Sequence, residues 1–537
     1  MAETIAGCED PANDNGRRPA LQIRHDMSEF THLIDLASAR LGGEAIAAND
    51  EFFAGKENLL EPGAPVWIEG KYTDRGKWMD GWETRRRRTP GHDWCIVKLG
   101  LPGVIHACVV DTAFFTGNYP SHCSIDACGL PPDADASAPG VVWHPVLPKT
   151  ELGGDRKNHL ALTLSPEAPR RWTHVRLNIF PDGGVARLRV LGEVLPDWTR
   201  ILAGGGDVDL AAAVNGAYVV DTSDRHYGDP RNMLMPYAAP NMGDGWETKR
   251  RRGPGHDWSV VRLGIAGVIR RVEIDTAHFK GNYPDTASLE AAVVPGDSHG
   301  VSADSASRGI AHWRAVLPES KLQADHRHVF ERELARDVAA SHVRLNIHPD
   351  GGVSRFRVFG APDAAGRRAA VLRELNAMDD PEARAHLADF CGAPAWIEAM
   401  NAARPFGSPQ ALLAASEGAA ARVDRAGWLE AFRHHPRIGE GSAERSPSAA
   451  AAESSAREQS GMDEAAEADR AALAQANREY EARFGHVFIV CASGKTAREM
   501  LEGLRARMAN DPETELRVAA DEQKTITRLR LERVLGP

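Results

Sequence analysis

The 41 residues from Asp80 to Pro120 are written a second time, 164 positions later, from Asp244 to Pro284. Asp80-Gly-Trp-Glu-Thr-Arg-Arg-Arg-Arg-Thr-Pro-Gly-His-Asp-Trp94 returns as Asp244-Gly-Trp-Glu-Thr-Lys-Arg-Arg-Arg-Gly-Pro-Gly-His-Asp-Trp258. The offset never slips, and 27 of the 41 positions are identical, so both stretches must follow one backbone path. The period is too long for a solenoid unit of some twenty to fifty residues, which makes this a duplicated domain. Whatever the chain folds into, it folds into it twice. The copied residues are Arg, Asp, Glu, His, Trp and Asn, so chemistry is duplicated along with the core.

Within each copy the short apolar runs read as strands. Trp94 to Leu99 and Trp258 to Leu263 are brief, β-branched and bounded by glycine. Arg176 to Val190 alternates on either side of Pro181-Asp-Gly-Gly184, which predicts a hairpin, and Arg344 to Val358 repeats it. Asp224-Arg-His-Tyr-Gly228 echoes Asp50 to Gly55. Many short strands between Gly/Pro turns, without intervening helices, predict a β-sandwich over 28–195 and another over 214–360. A joining stretch with Gly204 to Gly206 and Asp207 to Ala213 lies between them, and residues 1–27 are polar. Composition changes after Ala361-Pro-Asp-Ala-Ala-Gly366. Ala, Glu, Arg and Leu dominate, with apolar residues at helical spacing (Leu372, Leu375, Met378; Leu501, Leu504, Met508), which predicts a separate all-α domain over 367–537. Its low-complexity stretch, Gly441 to Ser455, reads as a loop or weak helix.

Charge and cysteine usage narrow the partners. A net charge of −11 opposes nucleic-acid binding, and the arginine runs sit inside patterned segments. No window approaches 18 consecutive apolar residues, so no membrane span is expected. The polar, acidic first ten residues lack the form of a signal peptide. Cysteines number seven, and Cys95, Cys108, Cys123 and Cys128 have no counterparts in the second copy. A disulfide framework would have been copied with the domain, so reduced thiols and a cytoplasmic location are expected.

Each copy carries an acid, Glu83 or Glu247, nine residues before His92-Asp93 or His256-Asp257, with the arginines Arg86, Arg87, Arg88 or Arg250, Arg251, Arg252 between them. Asp111 and Asp275 end strands ahead of a Gly-Asn-Tyr-Pro turn. Arginine forks suit a carboxylate, and an acid or histidine can move a proton. The plainer reading makes Trp82, Trp94, Trp246 and Trp258 core and several Arg–acid pairs structural. His92, Asp93 and Asp111 are conceivable metal ligands, but the spacing matches no metal signature. The Asp35-Leu-Ala-Ser38 start, Asn58-Leu-Leu60, the doubled Asp-Gly-Trp-Glu-Thr and Gly-His-Asp-Trp motifs and Gly-Asn-Tyr-Pro together resemble allantoicase over about 28–360. That resemblance implies two jelly-roll domains related by duplication and hydrolysis of allantoate to (S)-ureidoglycolate and urea. Such a substrate asks for a cationic clamp, a proton donor for the leaving urea and a base to guide water. Arg86 to Arg88 and Arg250 to Arg252 are the clamp candidates. Glu83, His92, Asp93, Glu247, His256 and Asp257 are the acid–base candidates. Phe114 against His278 and Thr116 against Lys280 distinguish the copies, leaving open one site, two, or one inactive copy. A different class of reading makes the duplicated half a non-catalytic ureide-binding or scaffolding module.

In the helical part, His434-His-Pro-Arg-Ile-Gly439 is the sharpest local feature, because proline holds the histidine before it out of a helix. Ser455-Ala-Arg-Glu458 has the form of a capping box. With Cys391-Gly, Trp396, Arg404-Pro-Phe406, Glu458-Gln-Ser-Gly461, Tyr480 to Gly485, Phe488-Ile-Val-Cys-Ala492 and Leu529-Arg-Leu531, the segment resembles 2-oxo-4-hydroxy-4-carboxy-5-ureidoimidazoline (OHCU) decarboxylase. The resemblance implies a cofactor-free helical fold making (S)-allantoin, with His435 as proton donor and Glu458 assisting. Pro436, Ser455, Glu458, Gln459, Phe488, Ile489, Val490, Cys491 and Ala492 would bind substrate, and Arg530 would anchor its carboxylate region. The expectation is a bifunctional ureide-catabolism enzyme with no metal or cofactor, small-molecule ureides as partners, and homo-oligomerisation left open.

Overall fold

The computed structural model describes residues 33–131, 134–162, 171–294, 312–435, 437 and 467–536. In the first copy one strand of 19 residues, Asp93–Asp111, is the spine. Its first half pairs with Trp172–Phe180 (Ile96 opposite Arg176) and Glu44–Ala48 (Ala45 opposite Val97). Its second half pairs with Arg187–Val194 (Val110 opposite Leu188) and Lys157–Ala161 (Val110 opposite Asn158). Every pairing is antiparallel. Gly100 sits where the strand passes from one set of partners to the other, and a Cβ there would lie 2.5 Å from the Leu41 carbonyl oxygen. The strand therefore serves both layers of a sandwich. His122–Cys128 and His144–Glu151 extend the layer beyond Trp172–Phe180, with alternate residues of His122–Cys128 buried as a sheet with one face on the core requires. Leu36, Trp82, Val97, Cys108, Trp172, Leu177 and Leu188 fill the space between.

The second copy repeats this connectivity around Asp257–Asp275, with Val260 opposite Arg344 and Ile274 opposite Phe356. It begins at Val208–Asp209, which pairs with the last strand at Phe359 and Gly360, so the sequence taken as a joining stretch from Asp207 onward is already domain. The connector is the short helix α1 (Trp198–Ala203) and the glycines after it. The two predicted hairpins are not formed. Trp172–Phe180 and Arg187–Val194 pair with different halves of the spine rather than with each other, so Pro181-Asp-Gly-Gly184 carries the chain across instead of folding it back. The alternation was right; the neighbour was not. One further difference separates the copies: the offset is 174 residues at Asp50 and Asp224 but 164 at Asp80 and Asp244. The extra 174 − 164 = 10 residues of the first copy contain a two-stranded loop, Tyr72–Thr73 with Gly76–Lys77.

Both copies close on the same buried ion pair. Arg187 meets Asp80 at 2.9 Å, and Arg355 meets Asp244 at 2.8 Å, each with both side chains almost wholly enclosed. Arg187 also donates to the carbonyls of Gly63, Asp80 and Ala186. Replacing Arg187 with methionine strands a buried carboxylate and three acceptors. The expected cost is about 3–5 kcal/mol, read as a shifted urea-unfolding midpoint of the β half.

The helical domain follows without a break. α2 (Ala364–Ala377) lies on the second spine: Arg373 Nη2 donates to Gly264 O at 2.8 Å, and the Trp198 amide donates to Glu374 at 2.9 Å. Then come α3 (Asp380–Ala388), α4 (Pro394–Ala402), α5 (Pro409–Ala420), α6 (Arg425–Arg433), α7 (Glu467–Phe484), α8 (Ala497–Arg507) and α9 (Pro512–Leu535). Side-chain N-caps start most of them, Asp363, Asp379, Ser408, Asp424, Thr496 and Asp511, and Thr496 with Glu499 completes a capping box. Leu387, Trp396, Met400 and Phe432 form a second core distinct from that of the sandwiches. Among the described residues no helix is long and apolar enough to cross a membrane, and the six described cysteines are free.

Candidate functional sites

The duplicated motif of the first copy wraps around the Pro181–Gly184 turn. Trp82–Glu83 pairs with Gly184–Val185, Thr84 exchanges hydrogen bonds with Gly183, and the Arg87 amide donates to Asp182 at 2.8 Å. The Asp93 amide donates to Pro181 O, and the Gly184 amide to Asn118 O. His92 packs against Phe180, the tilted rings 4.7 Å apart between centres. Gly183 is obligatory here: φ is +143°, and a Cβ would stand 2.6 Å from the Pro120 nitrogen. The second copy builds the same hub on Pro349–Gly352, with Arg251 on Asp350, Asn282 under Gly352 and His256 against His348 at 4.5 Å. So the motif and the Gly-Asn-Tyr-Pro turn, separate in sequence, meet at one end of each sandwich.

At each hub a carboxylate faces an amide. Asn118 Nδ2 donates to Glu83 Oε1 at 2.7 Å, and Asn282 Nδ2 to Glu247 Oε1 at 2.5 Å. Burial raises the Glu83 carboxyl above its ordinary range, the Asn118 bond only partly offsetting it. Asn118 itself is exposed, so this pair is open on one side. The second copy is more closed: Asn282 also reaches Met242 Sδ at 3.3 Å, and His278 Nε2 lies 2.8 Å from Ala239 O. In the first copy Phe114 rests on Trp67 of the extra loop instead.

The remaining residues separate by role. Asp93, 2 % exposed, is bonded through Oδ1 to Arg87 Nη1 at 2.7 Å and Asn49 Nδ2 at 2.8 Å. Asp257 is held likewise by Arg251 and by Ser223 Oγ at 3.0 Å. In each pair the aspartate is enclosed and its arginine half-buried, and the pair fixes the loop. Arg86, Arg88, Arg250 and Arg252 are exposed, with Arg86 Nε 3.7 Å from Asp182. Burial, then the neighbouring His256, pushes the His348 ring below its ordinary pKa. The sequence does not mark Asn118, Asn282, Asp182, Asp350 and His348 as site residues, although all five lie in its copied segments. Among the described residues no three His, Cys, Asp or Glu side chains cluster to hold a metal ion.

In the helical domain, α6 ends at Arg433 and the His435 amide closes on Phe432 O at 3.1 Å. His435 keeps part of its surface open yet is deeply surrounded. Burial and the Arg530 guanidinium push its pKa down to about 3. Arg437 ties the following turn to α7 through Glu481, at 2.6 and 2.8 Å. Arg530, on α9, is 7 % exposed and donates to Asp389 O. The 488–492 strip runs alongside: Phe488, Ile489 and Ala492 are buried, Val490 and Cys491 half-buried. The Cys491 amide donates to Glu522 of α9 at 2.6 Å, and Arg507 grips Ile489 O at 2.8 Å while bonded to the buried Glu515. Pro436, Ser455, Glu458 and Gln459 lie outside the described residues.

Duplicated sandwiches, each with a carboxylate–amide hub at one end, are followed by a helical domain in which a deeply surrounded histidine neighbours a buried arginine. The comparisons with known proteins agree. Residues 34–195 and 208–363 match the allantoicase repeat model, and 376–532 match the OHCU decarboxylase model. The probable allantoicase 2 of Burkholderia pseudomallei is 52% identical over 327 residues, covering 61% of this chain and 94% of that one. The probable allantoicase of Pseudomonas aeruginosa strain UCBPP-PA14 is 49% identical over 338 residues, covering 62% and 97%. The crystal structure of allantoicase from Saccharomyces cerevisiae superposes with a TM-score of 0.51 at 35% identity, over 62% of this chain and 96% of that one. The chain belongs to the allantoicase family and carries an OHCU decarboxylase domain behind it. It is a bifunctional enzyme of purine catabolism, a hydrolase and a carboxy-lyase in one polypeptide.

Proposed function

We propose that urea is released from allantoate at the first hub. Glu83 is the proton donor to the leaving urea, Asn118 holds that carboxyl in place, and His92 guides the attacking water. The exposed Arg86 and Arg88 receive the substrate carboxylate, while Arg87 and Asp93 brace the loop. The carrying observation is the Glu83–Asn118 pair, half-buried, open on one side and raised in pKa by burial. A carboxyl that stays protonated to higher pH is a better general acid near neutrality. Glu247, His256, Asp257 and Arg250 to Arg252 form the second, more closed hub. The test is urea release by the full chain carrying Glu83→Gln.

For the helical domain the reading is His435 as proton carrier and Arg530 as anchor of the carboxylate that departs as CO₂. The two act on each other, because the guanidinium disfavours a second positive charge on the ring. Arg530→Gln removes that repulsion, so the histidine protonates at higher pH. The acidic limb of kcat/KM for decarboxylation is expected to move upward, and KM to rise. An unmoved limb would remove Arg530 from the site. Free thiols at all six described cysteines support a reducing, cytoplasmic setting for both activities.

A further inference from the structure

Helix α9 carries Gln523, Thr527 and Arg530 at spacings of four and three, on a single buried stripe. Thr527 Oγ1 lies 3.3 Å from Phe390 O, an acceptor only, so its one proton goes there. It must then accept from the other side, which fixes the Gln523 amide: Nε2 donates to Thr527 Oγ1 at 3.2 Å, and Oε1 points away. Gln523 is 0 % exposed, and Oε1 is buried with no hydrogen-bond partner among the described residues. A buried oxygen left without a donor is costly, so such an atom asks what it is kept for. The His435 ring is a side-chain neighbour of Gln523 within hydrogen-bonding reach, as it is of Arg530 on the same stripe.

We propose that Gln523 is the positioning residue of the decarboxylase site, its Oε1 taking the N–H of one His435 ring nitrogen so that the other, unprotonated nitrogen faces the substrate. The proposal rests on the reading of His435 as proton carrier. A neutral ring has a single N–H, and Gln523 decides which nitrogen carries it. The bare nitrogen must therefore accept a proton before it can give one, and the substrate supplies it. OHCU has a hydroxyl and a carboxylate on ring carbon 4 and a ureido group on carbon 5. As the C4–carboxylate bond breaks, CO₂ leaves and its bonding pair forms a C4–C5 double bond. The displaced pair settles on a ring nitrogen, which takes a proton from solvent. The C4 hydroxyl then gives its proton to His435 as the C4 carbonyl forms, and His435 returns that proton to C5. The returned proton reaches one face only if the ring cannot turn, and the relay Phe390–Thr527–Gln523 is what prevents turning.

The test uses the full chain with Gln523→Leu, Gln523→Glu and His435→Ala, following allantoin by circular dichroism with freshly generated substrate. Gln523→Leu is expected to lower kcat about 10–100-fold, a cost typical of a misplaced catalytic group, with KM within about twofold. Gln523→Glu keeps an acceptor and should recover most of kcat. The charged groups facing the ring are Arg530 and His434, and the added carboxylate opposes both, so the acidic limb of kcat/KM should move up. In ¹⁵N spectra His435 should show one tautomer in the parent chain and a mixture in Gln523→Leu. Unchanged kcat in Gln523→Leu overturns the proposal. So does an equal loss in both glutamine variants with a lowered melting temperature, which would make Gln523 a packing residue. If His435→Ala itself leaves turnover intact, the reading of the histidine fails instead.

Discussion

Replacing His435 with alanine is expected to abolish stereoselective allantoin formation while leaving urea release from allantoate unchanged. Carbon dioxide can leave OHCU without an acid, because the ring accepts the electron pair, but the resulting planar centre can then be protonated from either face. The histidine adds speed and handedness together. General acid–base groups contribute about 10²–10⁴-fold, so kcat should fall by that order and the product should become racemic. Stability is not the issue. The ring lies after the last turn of α6, which keeps its Asp424 cap, so the melting transition should move little. Urea release is spared because the histidine lies in the helical domain, whose core is separate from that of the sandwiches. Optical rotation and urea assays on one preparation check both halves. Retained handedness would assign the proton to another group.

Duplication made the architecture legible. A copied register of strands and glycines can only mean one fold twice, and the loss of alternation after Gly366 marked the change to helices. Local pattern does not name a strand's neighbour, and there the hairpin expectation failed. Arg176 to Val190 alternates as a hairpin would, yet each arm lies on a different half of the Asp93–Asp111 spine. The same limit applies to side chains. Arg87 with Asp182 and Arg187 with Asp80 are partners 95 and 107 residues apart, with no periodicity to join them. Composition showed the arginines and acids; only the fold separates the buried Asp93, held by Arg87, from the half-buried Glu83 with its exposed partner Asn118. Gln523 was invisible for a related reason. A glutamine inside a helix reads as surface until burial shows that its oxygen has nowhere else to go.

The two hubs can be told apart by one conservative change in each. Glutamine at 83 keeps an oxygen to accept from Asn118, so the loop and its turn should stay folded, but the proton donor is gone. Urea release is expected to fall about 10²–10⁴-fold, with KM changed little. The same change at 247 is expected to leave at least about a third of the activity, within the small effects usual where no general acid is lost. The asymmetry follows from the surroundings: Asn282 is shared with Met242, and His278 is tied to the Ala239 carbonyl where the first copy has an aromatic contact. The sign of the pH response adds a check. Burial raises Glu83, so the parent enzyme should hold its activity to higher pH than an ordinary carboxyl allows and lose it as the acid form ionises. Glu83→Gln should lose that alkaline limb along with the rate. Equal losses at 83 and 247 would mean two working sites, and no loss at 83 would take the chemistry away from this hub. Because both glutamates occupy the same backbone position, any difference between the variants reports the loops around them and not the fold.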